Sequence, residues 1–331
     1  MEVFINGIGV ISPQLTFEKD SFSLSSMQTS TSDRLRCVEP DYKNYINPPL
    51  LRRMSRMIKM GITAAKICLT NAGVEKPGAI ITGTGLGCIE DTEKFIHSII
   101  ENGEQLLTPT PFIQSTHNTV GGQIALLLSC HEYNFTYVHR GISFESALLD
   151  ASMLLSENAA DNILVGGIDE LTDNSFKLLQ QLGLYNQNSK GGEGAAFFLL
   201  SGKKTKTSVG KITALRALAG KSDEQIISKK IQDCLVESGK TIEDIGLVLL
   251  GDSGNKKTDT IYKTLRNGIL KNSSIQPFKK YCGEYHTASS FAVGLATTLL
   301  NDKTSSNAPS TILIYNNFGG EDHSIILLEK C

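Results

Sequence analysis

The order of strand-like and helical segments indicates a layered α/β fold made of two successive βα arrays. Apolar strand-like runs alternate with stretches of helical spacing along the 331 residues, and this alternation favours sheets that are covered by helices. Each array closes with a pair of strands, and the second array repeats the order of the first. The sequence therefore predicts two pseudo-duplicated halves, residues 1–204 and 205–331, with the junction near Gly202–Ser208.

The first half contains the longest predicted helix and a long excursion. Leu51–Ala72 has apolar residues at helical spacing and stops at Gly73, a residue type that often ends a helix. Residues 16–48 are rich in Ser and Thr without periodicity, which indicates a surface excursion. The predicted strands are Val3–Ile11, Ala79–Gly87 (a strand running into a glycine turn), Phe135–Val138, Ile163–Gly167 and Ala195–Ser201. The other predicted helices are Asp91–Glu101, Thr119–Leu128 and Ser143–Glu157.

The second half is shorter and repeats the pattern. Ser222–Gln225 resembles a capping box and predicts a helix that runs to Glu237. The predicted strands are Lys211–Leu215, Leu247–Leu250, Thr311–Tyr315 and Ser324–Leu328, and the other helices are Asp259–Leu270 and Thr287–Leu300.

Composition excludes several classes of function. A formal net charge of -2 gives no electrostatic case for binding nucleic acid or an anionic membrane. The chain starts with a strand signal instead of a signal peptide, and no apolar run reaches the roughly 18 residues of a membrane span. Seven cysteines are scattered without CxxC pairing, which predicts reduced, packed thiols in a cytoplasmic protein, with no metal site and no cofactor.

Six glycine-rich or charged segments occur in the order and spacing of one enzyme family. They are Val3–Pro13, Gly83–Cys88, Asn118–Ala125, Ala159–Glu170, Gly192–Ala196 and Asn317–Gly320. Together they resemble the β-ketoacyl synthases of the thiolase superfamily almost end to end, although this chain is shorter than usual members. The resemblance implies a thiolase-like fold, in which two βα halves form an αβαβα sandwich.

The resemblance also implies where reactive groups are expected. Family members use a cysteine nucleophile at a helix start and two histidines that hold the carbonyl of a malonyl thioester. By resemblance, the cysteine position is Gly141 and the histidine positions are Gly251 and Glu284. A glycine has no side chain to acylate, and a glutamate places potential negative charge where an enolate would form. The Cys-His-His constellation is therefore expected to be absent.

Other family positions in the cleft are retained. Lys279 and Gly283 match the family lysine and glycine, and Phe318 matches the residue that gates the acyl pocket in catalytic members. Gly319 and Gly320 complete the same terminal motif.

Three nearby residues are candidates for shifted chemistry. Ser143 lies two residues after Gly141, and the competing interpretation is a helix N-cap. For Cys282, the competing interpretation is a packed thiol without a chemical role. His286 lies two residues after Glu284 and requires a local realignment to take the histidine role.

Further motifs have simple structural explanations. His139 is expected to cap a strand end, and Gly83–Gly87 to form a turn, since it lacks the Lys-Ser/Thr of a phosphate-binding loop. Lys256–Lys257 and Lys279–Lys280 suit either solvent or an acidic carrier protein.

Three functions remain open at the level of sequence. The first is a non-condensing subunit resembling a chain-length factor, which pairs with an active ketosynthase and acyl carrier protein in fatty-acid, polyene or polyketide-type biosynthesis. This function requires an apolar dimer face around Asn118–Leu128 and Phe135–Val138. The second is an acyltransferase or ketosynthase that uses Ser143, Cys282 or His286. The third is a homodimeric acyl-binding scaffold.

Overall fold

The computed structural model describes residues 2–18, 21–302 and 308–331. Two positions of the predicted excursion, 19 and 20, lie outside the described residues. The strands are β1 Val3–Ile11, β2 Arg34–Leu35, β3 Ala79–Gly83, β4 Tyr133–Tyr137, β5 Asn162–Asp169, β6 Gly191–Gly192, β7 Gly194–Ser201, β8 Gly210–Ala219, β9 Leu247–Leu250, β10 Ile275–Pro277, β11 Thr311–Phe318 and β12 Asp322–Glu329. The α-helices are α1 Pro48–Leu51, α2 Arg56–Ala72, α3 Ile89–Glu101, α4 Pro109–Ser115, α5 Thr119–Leu128, α6 Ser143–Ser156, α7 Asp173–Gln181, α8 Glu224–Glu237, α9 Thr260–Asn267, α10 Lys279–Cys282 and α11 Ala288–Leu300.

Ten strands form one hydrogen-bonded sheet in the order β10-β9-β11-β12-β8-β1-β7-β5-β3-β4. Its two five-strand halves have the same internal pairing. In each half the first strand pairs antiparallel with the fifth, the fifth antiparallel with the fourth, the fourth parallel with the second, and the second parallel with the third. This shared topology is the structural form of the duplication that the sequence predicts.

The two halves meet at a short stretch of strand pairing and around two central helices. Val3–Ile5 of β1 pairs with Gly210–Ile212 of β8. Helix α6 packs against β3, β5 and β8, and α11 packs against β1, β7, β11 and β12. Every residue of α11 except Thr298 is buried, as expected for a helix with sheet on both sides.

The outer layers complete the sandwich. Helices α2 and α5 cover the first half, and α8 covers β8 and β12 of the second half. The resulting order is helix, sheet, helix, sheet, helix, so the predicted αβαβα class is confirmed. Six of the seven cysteines are buried free thiols, and Cys331 is exposed. Among the residues that the model describes, no helix combines the length and apolarity needed to cross a membrane.

Several element boundaries differ from the sequence prediction. The helix expected over Leu51–Ala72 begins at Arg56, because the chain first forms the short α1 and then turns before Ser55. The N-cap of α8 is Asp223 instead of Ser222, and its carboxylate accepts a hydrogen bond from the Ile226 N–H at 2.9 Å.

Four of the described helices, α1, α4, α7 and α10, are absent from the prediction, and two of them have a local explanation. Helix α4 starts at Pro109. Proline suits the first turn of a helix because a backbone N–H at that position would have no partner within the helix. Helix α7 follows a capping box formed by Thr172 and Ser175, in which Ser takes the place of the usual Glu or Gln. The expected boundary between residues 204 and 205 falls in the connection from β7 to β8 and stays a prediction.

Candidate functional site

The first part of the site is the turn that joins β4 to α6. A short 3-10 helix, Arg140–Ile142, leads into α6, and Arg140 has φ +53°, which is uncommon for a residue with a side chain. The Ser143 hydroxyl accepts from the His139 N–H at 2.8 Å and donates to the Arg140 carbonyl at 2.7 Å. Ser143 is the first helical residue and not the N-cap, which is Ile142. Its hydroxyl nevertheless closes the turn that presents Gly141.

The space in front of Gly141 is filled by the end of β11. A Cβ at this position would overlap the Phe318 Cβ, and it would lie 2.8 Å from Phe318 Cγ and 2.9 Å from the Asp322 Cβ. The Gly141 N–H donates to the Asp322 carboxylate at 2.9 Å. In general, a backbone N–H at a helix start is the kind of donor that stabilises an oxyanion. In this chain that donor is already engaged by an internal carboxylate.

The space in front of Gly251 is filled by the same strand. Gly251 follows β9, and its N–H bonds to the Tyr315 carbonyl at 2.9 Å. A Cβ here would lie 2.5 Å from Asn316 Oδ1 and 2.9 Å from the Tyr262 hydroxyl oxygen. Asn316 is fully buried, and its amide has no hydrogen-bond partner among the described residues.

Glu284 forms a buried ion pair with Lys279. The Lys279 ammonium lies 2.8 Å from Glu284 Oε1 and donates to Oε2 at 2.9 Å. It also donates to the Asn317 carbonyl at 2.9 Å. Burial raises the pKa of Glu284 to about 7, and the positive charge of Lys279 opposes part of that rise. Because Lys279 is buried, the expectation that both lysines of the Lys279–Lys280 pair face solvent or an acidic carrier is wrong for this residue.

The three positions at which the resemblance expects reactive groups all lie near the end of β11, Glu284 through its partner Lys279. Asn316 faces Gly251, Asn317 binds the Lys279–Glu284 pair, and Phe318 faces Gly141. Two glycines after Phe318 have φ of +64° and +82°, which glycine adopts at little cost. Gly283 also has a positive φ, and a Cβ there would lie 2.6 Å from the Gly192 Cα.

A cavity of about 990 Å³ lies beside this strand end. Its walls come from the turn after α7, the loops around α8 and α9, and the turn between β11 and β12. Its lining includes Gly85, Arg140, Leu184, His286, Phe318 and Glu321.

The three candidates for shifted chemistry have different environments. Ser143 and Cys282 are fully buried, and the Cys282 thiol donates to the Gly283 carbonyl at 3.4 Å. Burial raises the pKa of the Cys282 thiol. His286 lines the cavity, and its ring centroid lies 4.3 Å from that of Phe318. Burial lowers the pKa of His286, and nearby carboxylates oppose that change.

His139 is exposed two residues after the end of β4, and its Nδ1 lies 2.9 Å from the hydroxyl of Ser146 in α6. The expectation that it caps the strand end stays a prediction.

Two acidic residues organise the site without having been singled out in the sequence. Asp322 binds Gly141, as described. Asp169, at the end of β5, accepts from the Gly85 N–H at 2.7 Å, from the Thr287 N–H at 2.9 Å and from the Thr287 hydroxyl at 2.8 Å. It thereby fixes the Gly83–Gly87 turn to the start of α11. A search for buried acids directly after strands would have found Asp169.

The family model described as "Beta-ketoacyl synthase, N-terminal domain" matches residues 33–234, more than half of the chain, and the protein belongs to this family. No curated protein matches the chain.

Solved structures similar to this chain include ketosynthase and chain-length-factor assemblies. The ishigamide ketosynthase/chain length factor has a TM-score of 0.85 at 13% identity, over 100% of this chain and 99% of that chain. The ketosynthase ApeO in complex with its chain length factor ApeC, from Xenorhabdus doucetiae, gives 0.80 at 16%, over 99% and 98%. The complex AntDE:AntF, a type II polyketide acyl-carrier protein with its ketosynthase bound to the hexaketide, gives 0.78 at 16%, over 100% and 99%. At these identities the similarity shows the fold.

A first prediction concerns the filled space at Gly141. We expect Gly141→Ala to lower the free energy of unfolding by about 1–3 kcal/mol, because the new methyl group overlaps Phe318. Gly122→Ala is the matched control: apart from its own stretch of helix, no atom of the described residues lies within 4 Å of the added Cβ, and alanine favours helix there. Urea denaturation of both variants measures the difference. Equal free energies of unfolding for wild type and Gly141→Ala would contradict this prediction, because they would show that the end of β11 moves aside at little cost.

A second prediction uses the raised pKa of Glu284. Between its ordinary value of 4.5 and about 7, the folded chain keeps a proton that the unfolded chain releases. The free energy of unfolding therefore falls as pH rises through this window, by up to about 1.4 kcal/mol per pH unit. Glu284→Gln lacks this dependence, so wild type should lose stability relative to the variant up to about pH 7 and then level off.

The measurement is urea denaturation at several pH values, with Gly122→Ala as a baseline variant that changes no titratable group. A stability difference between wild type and Glu284→Gln that stays flat across the window would contradict the raised pKa.

Proposed function

We propose that this protein is a non-condensing subunit that pairs with an active β-ketoacyl synthase, in the manner of a chain-length factor. The observation that carries the proposal is the glycine at position 141, whose side-chain space is occupied by Phe318. Acyl transfer from a carrier protein needs a nucleophile at the head of the helix. This chain offers a backbone N–H there, already bonded to Asp322, and so it is expected to form no acyl-enzyme.

The edge of the first half supports a role in pairing. Strand β4 ends the sheet and pairs only with β3 among the described strands. Tyr133 and Phe135 point outward with 44% and 46% of their surface exposed, and their rings stack with centroids 6.1 Å apart. An edge strand with exposed aromatic residues favours association with another chain.

The apolar surface extends from β4 onto the neighbouring helices. Leu126 of α5 is exposed, and so are Leu149 and Met153 of α6. The face includes the two segments in which the sequence predicts a dimer contact. Exposed apolar side chains on an edge strand and its flanking helices suit an interface with another chain.

The partner and the pathway complete the proposal. Similar structures include a ketosynthase with its chain length factor and an acyl-carrier protein with its ketosynthase. We assign this chain a ketosynthase partner, with an acyl carrier protein delivering substrate to that partner. The product is a fatty-acid, polyene or polyketide-type chain, and the pair acts in the cytoplasm, where free thiols persist.

One observation favours a second candidate, an acyl-transfer enzyme. His286 lines the cavity and has the only imidazole among the three shifted candidates. Its ring stacks on Phe318, and Ser143 and Cys282 are buried with hydrogen bonds to neighbouring backbone. A histidine base without an accessible nucleophile is a weaker fit than the pairing role.

Co-expression tests the pairing. With a β-ketoacyl synthase from the same gene neighbourhood, we expect one stable heterodimer on size exclusion, with both chains in equal amount by native mass spectrometry. Phe135→Lys places a charge in the proposed interface and should abolish co-elution. Val236→Lys is the matched control, because Val236 is exposed on α8, the outer layer of the other half.

Two outcomes would contradict the proposed pairing. A homodimer that persists in the presence of the ketosynthase would favour the scaffold function. Loss of co-elution with Val236→Lys but not with Phe135→Lys would place the interface elsewhere.

A further inference from the structure

The layer between the two sheets contains a set of buried polar side chains, called here the inner polar group. Its members are Glu145 of α6, Ser289 of α11, Asn316 of β11 and Ser324 of β12, and each is at most 1% exposed. Glu145 belongs to the first half of the chain, and the other three belong to the second. Polar side chains at such a depth need hydrogen-bond partners, because burial removes their contacts with bulk water.

Glu145 brings a fully buried carboxyl group into this layer. Burial raises the pKa of the carboxyl, the nearby hydroxyls of Ser289 and Ser324 oppose that rise, and the negative charge of Asp322 adds to it. Neither carboxyl oxygen has a hydrogen-bond partner among the described residues. A buried carboxylate without a compensating charge is costly, so the carboxyl is held in its neutral form, which both donates and accepts hydrogen bonds.

Asn316 extends the inner polar group across two strands. Asn316 and Ser324 are directly paired in the sheet, and paired residues of antiparallel strands place their side chains on the same face. Ile314 and Ile326 lie on that face and belong to the same core as the buried residues of α6 and α11. The Ser324 hydroxyl is therefore a neighbour of both the Glu145 carboxyl and the Asn316 amide.

The members of the inner polar group are neighbours that do not bond to one another. Like the Glu145 carboxyl, the hydroxyls of Ser289 and Ser324 and both polar atoms of the Asn316 amide lack a hydrogen-bond partner among the described residues. Four side chains that lack partners in one place indicate one shared partner. Buried polar groups in this situation are typically bridged by ordered water, which makes about three hydrogen bonds at such a site.

We propose that the inner polar group is an internal water site, in which a small cluster of ordered water molecules bridges α6 to α11, β11 and β12. The bound water supplies hydrogen bonds between the first half of the chain and the second. Because Asn316 also faces Gly251, the same cluster supports the end of β11. The site goes beyond the proposed pairing and does not depend on it, because all four side chains are buried within one chain.

A crystal structure of the wild-type protein tests the internal water site directly. We expect electron density for at least one water molecule within about 2.6–3.2 Å of polar atoms from two or more members of the inner polar group. Direct hydrogen bonds among the four side chains, with no density between them, would overturn the proposal. A cation at this position, detected as an anomalous-scattering peak after crystals are soaked in rubidium chloride, would also overturn it.

Two variants at one position give a second readout in solution. Magnetic relaxation dispersion counts the water molecules that stay bound inside a protein. We expect Glu145→Met to lose at least one of them, because methionine fills a similar volume without a hydrogen-bonding carboxyl. Glu145→Gln is the matched control and should keep the wild-type number, because its amide still donates and accepts hydrogen bonds. Equal numbers in wild type and Glu145→Met would contradict the proposal.

A milder pair of variants replaces these if Glu145→Met does not fold. Ser289 and Ser290 are adjacent and fully buried, but the Ser290 hydroxyl already donates to the Thr287 carbonyl at 2.7 Å. We expect Ser289→Ala to shorten the residence time of the bound water severalfold, because one of its partners is removed, and Ser290→Ala to leave it unchanged. An unchanged residence time in Ser289→Ala would overturn the internal water site.

Discussion

The last three residues of β11 are the constraint on which the rest of the site depends. Asn316, Asn317 and Phe318 are buried, and each one meets a different position at which the family resemblance expects a reactive group. A close-packed interior leaves no room for a side chain at Gly141 or Gly251 unless this strand end shifts. The end of β11 thus closes the space in which a side chain at Gly141 or Gly251 would lie.

Electrostatics reinforces that arrangement. The Lys279 ammonium and the Glu284 carboxyl form a buried pair, and Lys279 also binds the backbone of β11. A buried ion pair is costly to break because one charge is left without a partner. Asp322 engages the N–H at the head of α6 in the same way. Both carboxylates therefore engage internal donors in the region where an anionic intermediate would need free ones.

The sequence predicts the architecture well because strand and helix periodicities are local. The alternation of elements predicts a layered α/β fold of two βα arrays, and the resemblance carried by the glycine motifs implies the αβαβα order. The sequence pattern does not reveal α4, because a proline such as Pro109 can start a helix as readily as it breaks one. For the site, the sequence identifies Gly141, Gly251 and Glu284 as positions of interest. The sequence does not reveal the roles of Asn316 and Asp322, because their contacts with Gly251 and Gly141 join residues far apart in the chain and depend on tertiary packing.

The central claim is that the closed cleft accepts no acyl group. Intact-protein mass spectrometry after incubation with an acylated carrier protein tests it most directly, with an active ketosynthase as the positive control. The account predicts an unchanged mass for this chain under conditions that fully acylate the control. A mass increase of one acyl group, located by peptide mapping to Ser143, Cys282 or any other residue, would contradict it.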